Sequence, residues 1–372
     1  MQDDDIKPGV MHVYGSKISY YTGKLEAYLR YRAIPYDTPN YIANAKRMKA
    51  GAGVVQMPVV ELPNGGWMSD TTPMIAWLDR ECKGDSIYPN HPALNFLALL
   101  IEDYADEWLW RSAMHYRWTY RADRQYAAEA LFNELVKGVR PVPRFFALAR
   151  LKHRQRGGFV RGDGVTEATQ FHVDRTYLTA LECLQAIFER RPFILGQTPT
   201  IADFGMMAPM FRHFSQDPTP AELMRSRAPA VYEWVARMWN LEPASGDAEL
   251  ISEADNVLDA LLVEICETHL AQHRQNADSY ALGQKRFDMT IQDCDYKNVP
   301  TSRYRVWCLE QLRTAWAEMA PEDQASVKAH LRSPCAEILW DQTDIAPSNY
   351  DLEGQAPFNK AINVYGTGVP PR

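Results

Sequence analysis

From Asn95 to about residue 240 the chain places apolar side chains at three- and four-residue spacing, with no strand-like alternation. The blocks LALLIEDYADEWLW, AAEALFNELVKGV, TQFHVDRTYLTALECLQAIFE, IADFGMMAPMFRHF and PAVYEWVARMWN each carry one apolar face. So long a stretch with that single period predicts a helix bundle. The first 85 residues read differently. VMHVYG (10–15) is a strand, and residues 22–33 are a helix with Leu25, Tyr28, Leu29 and Arg32 on one face. Ile34-Pro35-Tyr36 breaks that helix and opens a second extended piece. MPVVELPNGGWMSD holds two extended runs, VVEL and WMS, about a Pro-Asn-Gly-Gly turn, which is a hairpin signal. TTPMIAWLDREC follows as a helix with Pro73 in its first turn. The order β-α-β, then β-β-α, predicts a small α/β domain with a mixed sheet.

A third segment follows the bundle. The spacing predicts a helix over 249–275, a less regular piece with strand-like stretches (YALGQKRFDMTIQD), a helix over 303–319, and an extended tail rich in Pro, Gly and Asn. In that last helix Val306, Leu309, Leu312 and Trp316 share a face. YPNHPALN and EPASGDAE read as linkers, so the predicted division is 1–88, 89–243 and 244–372. The segment could cover a cleft, extend a dimer interface or bind a partner.

Charge and cysteine usage narrow the classes. A formal net charge of −7 argues against a general nucleic-acid binder. MQDDDIKPG lacks the apolar core of a signal peptide, and the run near ALNFLALLI is too short to cross a bilayer. Six cysteines (82, 183, 266, 294, 308, 335) form no CxxC pair, as is usual for reduced thiols, so the predicted location is cytoplasmic.

Four separated features then line up: Ser19-Tyr20-Tyr21-Thr22 at the strand-to-helix corner, Met57-Pro58 opening the hairpin, Asp70-Thr71-Thr72-Pro73-Met74-Ile75 heading the next helix, and Gly196-Gln197-Thr198-Pro199-Thr200-Ile201-Ala202-Asp203 in the bundle. Together, across residues 10–242, they resemble the glutathione S-transferase superfamily. The resemblance implies a thioredoxin-like α/β domain followed by an all-α bundle, here with a mostly helical C-terminal addition. It also implies a cytosolic homodimer that takes glutathione as co-substrate and needs no metal. A serine at the corner cannot do the redox chemistry of a cysteine, so the sulfur must arrive as a bound thiol. The Ser19 hydroxyl, at a helix N-terminus that attracts anions, would hydrogen-bond a thiolate whose free pKa is about 8.5. Ser19 as a plain helix cap is the competing reading. Tyr14, at the end of the first strand, rivals Ser19 for the thiol. The resemblance further implies that Gln56, Met57 and Pro58 meet the cysteinyl part of glutathione, with Pro58 as a cis-proline. Asp70, Thr71 and Thr72 would hold its γ-glutamyl end, with Thr72 matching the family's serine, Thr71 replacing its acid and Asp70 displaced by one. Thr200 and Asp203 read as a structural capping box.

The implied reaction is attack of the thiolate on a small, aromatic or apolar electrophile, by conjugation, ether cleavage, dehalogenation or isomerisation. SYYTGKLEAYLR is also similar to metaxin-like members, which keeps a non-catalytic binding module open. Tyr104, Trp108, Arg111 and His115 fall on one helical face and form the candidate acceptor pocket, against the alternative of buried core. Residues 137–161 hold eight Lys/Arg (137, 140, 144, 150, 152, 154, 156, 161) and no acid; a solvated helix face, a subunit contact and an anion gate all fit. Cys266, His269 and His273 are zinc-competent and share a helical face, but no fourth ligand is evident; a packed cysteine with two surface histidines is the favoured reading.

Overall fold

The computed structural model describes residues 9–136, 143–242, 249–341 and 343–361. The chain opens with β1 (Met11–Tyr14), α1 (Tyr20–Tyr31), β2 (Tyr36–Asp37), α2 (Ala45–Ala52), β3 (Val59–Glu61), β4 (Trp67–Ser69) and α3 (Thr71–Glu81). The four strands form one mixed sheet, ordered β2-β1-β3-β4, in which β2 runs parallel to β1 and β3 pairs antiparallel with both β1 and β4. Val59 pairs with Tyr14 on one side and Ser69 on the other. That register brings the exit of β1, the entry to β3 and the exit of β4 to the same end of the sheet.

The bundle follows as α4 (Pro92–Glu107), α5 (Leu109–Thr119), α6 (Arg121–Val136), α7 (Arg144–Gln155), α8 (Gln170–Phe188), α9 (Ile201–Pro209), α10 (Pro218–Arg227) and α11 (Pro229–Trp239). α9 lies against both α4 and α1. Gly205 permits this closeness, since a methyl added there would lie 2.7 Å from Glu102 Cα. The head of α9 shows the predicted capping box. Asp203 Oδ2 accepts the Thr200 amide at 3.0 Å, while Oδ1 takes the Ile194 amide and the Trp234 indole. Burial lifts the Asp203 carboxyl to about 6 against the pull of these donors.

Beyond the bundle run α12 (Asn256–Ile265), a π turn (Cys266–Leu270), α13 (Ala271–Ala281), the hairpin of β5 (Arg286–Ile291) and β6 (Cys294–Pro300), α14 (Arg303–Glu318) and α15 (Pro321–His330). This segment shares the main apolar core with the bundle: α12 packs on α8, and α14 and α15 pack on α4. Residues 343–361 then return to the first domain. Ser69 donates its amide to Pro357 O at 2.9 Å, Ala361 donates to Ala52 O at 3.0 Å, and the Phe358 ring meets Trp77 edge-on. Among the described residues, no helix is long and apolar enough to cross a membrane.

Candidate functional site

Three loops meet at the end of the sheet defined by Val59. The first carries Ser19, the N-cap of α1, half-buried, with its Oγ accepting the Thr22 amide at 3.4 Å. The second carries exposed Gln56, then Met57 and Pro58 joined by a cis peptide. The third carries Asp70, the N-cap of α3, whose Oδ1 accepts the Thr72 amide at 3.3 Å. Asp70 holds φ +73°, a left-handed value uncommon outside glycine. Thr71 is buried at the first helical position.

Below the third loop sits a charge cluster. Lys24 of α1 is fully buried and donates to Glu102, to Asp106 Oδ2 and, at 3.2 Å, to Thr72 Oγ1; Thr72 in turn donates to Glu102 at 2.5 Å. Burial alone would lower the Lys24 ammonium; Asp106 and Glu102 hold it above its usual value instead. Two carboxyl groups thus pair with one ammonium, and Asp70 lies near enough to feel its charge. Asp70 Oδ2 and Asp106 Oδ1 are buried and have no hydrogen-bond partner. Burial raises the Asp70 carboxyl to about 7, although the Tyr304 hydroxyl, which donates to Oδ1 at 3.0 Å, favours its charged form.

Tyr14 stands apart from these loops. Its hydroxyl donates to Glu61 Oε2 at 2.9 Å, Arg47 pairs with the same carboxylate, and its ring stacks on Trp67 within the Met48–Ala52–Val59 cluster. Burial, then Glu61, pushes the phenol well above its usual range. Ser19 remains the hydroxyl at the corner. Thr72, read from the sequence as the hydroxyl for a γ-glutamyl group, instead turns into the Lys24 cluster.

The four residues of the candidate acceptor pocket are a correction: Tyr104, Trp108, Arg111 and His115 are all 2 % exposed or less. Arg111 donates to Asp163 and Gln272, Trp108 meets His172 and Tyr296 edge-on, and His115 lies 3.2 Å from Asp174. For Tyr104, Trp108 and Arg111 the reason is the C-terminal segment, whose π turn, α13 and β6 meet them, while α8 covers His115. Residues that the helical spacing did not single out form an aromatic wall that starts at Tyr21, two residues after Ser19. Tyr21 stacks on Trp110 at 5.6 Å, and Phe159 meets Trp110 edge-on at 5.8 Å; all three are half-buried. Tyr21 stands out in the sequence only as a neighbour of Ser19, and Trp110 sits on a different face of α5 from Arg111 and His115.

The basic run is divided. Lys137 and Arg140 lie outside the described residues, while Arg144 pairs with Glu129 and Lys152 donates to Gln125 on α6. His269 and His273 are corrected from surface to core: they are 0 % and 1 % exposed, because Asp103 of α4 lies opposite them. Cys266 is buried, and burial pushes its thiol up to about 12.

Residues 145–237 match the family described as "Glutathione S-transferase, C-terminal domain". Among solved structures, the chain is similar to the β-etherase LigF from Sphingobium sp. strain SYK-6, at 16 % identity over 62 % of this chain and 94 % of that one, with a TM-score of 0.44. It is also similar to a glutathione S-transferase from Methylobacterium radiotolerans in complex with glutathione sulfonate, at 17 % identity over 64 % and 98 % of the two chains, TM-score 0.39. FzlA from C. crescentus is similar at 11 % identity over 63 % and 96 %, TM-score 0.39. No curated protein matches the sequence.

Proposed function

We propose that this chain, which belongs to the glutathione S-transferase superfamily, binds glutathione at the end of the sheet marked by Val59 and uses Ser19 to hold its thiolate. The observation that carries this reading is the surplus of carboxylate at the head of α3. Glu102 and Asp106 share one ammonium with Asp70 nearby, and Asp70 Oδ2 and Asp106 Oδ1 lack partners. A buried carboxylate oxygen without a donor is costly. The α-amino group of a γ-glutamyl residue would supply the missing positive donors, while the amides at the start of α3 would donate to its carboxylate. Met57, next to Pro58, offers its backbone to the cysteinyl unit, which leaves the sulfur toward Ser19 at the N-terminus of α1. There the partial positive charge of the helix and the Ser19 hydroxyl favour the thiolate.

The wall of Tyr21, Trp110 and Phe159 lies beside that sulfur position and suits a flat aromatic electrophile. Attack at an electrophilic carbon forms a C–S bond and expels a leaving group, or transiently bonds an isomerising substrate. The test is titration calorimetry with glutathione, followed by turnover of an aromatic halide by wild type and Ser19→Ala. Binding with turnover lost in the variant supports the enzyme. No heat at millimolar glutathione overturns it.

A second reading is a non-catalytic module of the same fold. The hydrogen bond from Tyr304 to Asp70 favours it, because the chain's own extension already occupies one oxygen of the carboxyl that glutathione would need. Binding without turnover of any electrophile would select this reading.

A further inference from the structure

We propose that Asp103, His269, His273 and Cys308 form a structural zinc site that fastens the C-terminal segment to α4. His269 Nε2 and His273 Nε2 each lie 2.8 Å from the same oxygen, Asp103 Oδ2. The donor atoms of this triad all fall within 4.8 Å of one another. The two rings lie 4.2 Å apart, and their spacing of four residues puts both on one side of the π turn and α13. Two histidines four apart on a helix, aimed at one point with a carboxylate opposite, is a recurrent zinc-ligand arrangement. Cys308 of α14 neighbours the same Asp103 carboxyl, but its thiol lies outside that triad; in the proposed site it turns in as the fourth donor.

The surroundings suit a structural ion rather than a catalytic one. His269 and His273 are 0 % and 1 % exposed, and Asp103 and Cys308 are both 7 % exposed, so no path for a reacting water is evident at these ligands. A closed set of four protein donors is the pattern of structural zinc, whereas catalytic sites keep one position open. The ligands come from α4, from the turn leading into α13, and from α14. A single ion would therefore join the bundle to two elements of the extension. Both Nδ1 atoms are buried without partners. An unfilled outer shell of this kind costs about 10–100-fold in metal affinity, so the site is expected to hold zinc less tightly than sites with complete outer shells.

Binding releases the Cys308 proton to solvent and leaves both imidazoles neutral, so the ion's two positive charges meet the Asp103 carboxylate and the Cys308 thiolate. This makes the site independent of glutathione, and its test does not rest on activity. The full chain is purified without a polyhistidine tag and analysed by inductively coupled plasma mass spectrometry, as isolated and after chelation and reconstitution with zinc chloride. The expected result is one zinc per chain, with the melting temperature of the chelated protein rising by several degrees on zinc addition. Cobalt in place of zinc is expected to show a thiolate-to-metal absorption band that Cys308→Ser abolishes. The double variant His269→Gln/His273→Gln is expected to bind neither metal; should it fail to fold, the chelation and reconstitution of wild type decide alone. A metal-free protein whose melting temperature ignores both chelator and zinc overturns the site, and so does full zinc retention by the double variant. Cobalt bound without the thiolate band overturns the role of Cys308.

Discussion

Tyr304 of α14 donates its hydroxyl to Asp70 Oδ1 at 3.0 Å, across 234 positions of sequence, and so places the C-terminal segment on the cap of α3. Tyr304 packs there with Trp307 and Tyr350 in a small aromatic cluster of its own. Removing the hydroxyl while keeping the ring leaves the packing and frees the carboxyl. Tyr304→Phe is therefore expected to bind glutathione several-fold more tightly than wild type in titration calorimetry. Unchanged or weaker affinity would show that Asp70 is no part of the ligand site.

Asp70 also makes stability depend on pH. Its folded pKa of about 7 stands above the ordinary carboxyl value of 3.8. Both folded and unfolded chains hold the proton below pH 4, the unfolded chain loses it first on the way up, and stability falls between about pH 4 and 7. Asp70→Asn removes that decline. The check is the melting temperature of wild type and variant across this range: the difference should shift in favour of the variant as pH rises, and be level above pH 8.

Ser19→Ala separates the two roles of a hydroxyl at a helix head. Loss of the cap costs about 1 kcal/mol of stability. Loss of a donor to a developing or resident anion costs about 10²–10³ in turnover. A change in kcat/KM far larger than the cap alone would produce, with the melting temperature down by a few degrees at most, is the expected outcome. The pH profile of the residual activity should move upward, as the thiol ionises less readily.

Thr200→Ala acts on folding instead. The threonine caps α9 and the bond from its hydroxyl to Asp203 Oδ2, at 3.3 Å, steadies a fully buried carboxyl. A loss of about 1 kcal/mol or somewhat more is expected, read in denaturant melts, with glutathione affinity unchanged.

Gly205→Ala tests the crossing of α9 on α4. The added methyl would meet Glu102 backbone at 2.7 Å, and Glu102 holds Lys24. Overpacking at such a contact costs about 1–3 kcal/mol. Because the helices must part, weaker glutathione binding is expected along with the lower melting temperature.

Much of the architecture was legible because local signals agreed. The Pro-Asn-Gly-Gly turn, the helix beginning at Thr71 and the cap at Thr200 each appear where their chemistry requires. α2 escaped notice because its eight residues bury only Met48 and Ala52, too few to establish a period. β6 escaped because a register shift opposite Phe287–Met289 and Asn298 at φ +55° break its alternation. The site was legible in its loops but not in its walls. Tyr104, Trp108, Arg111 and His115 have the spacing of one face, yet Gln272 and Tyr296, which cover Trp108 and Arg111, arrive more than 150 residues later. The burial of His269 and His273 likewise depends on Asp103, a partner no local pattern announces.

The amide of Ser69 and the carbonyl of Pro357 carry a further consequence. β4 is an outer strand, and outer strands invite pairing with foreign chains. Here the polypeptide's far end shields its own beginning, so a protein clipped before Tyr350 would expose a sticky flank and self-associate as its first failure, ahead of any loss of helical content.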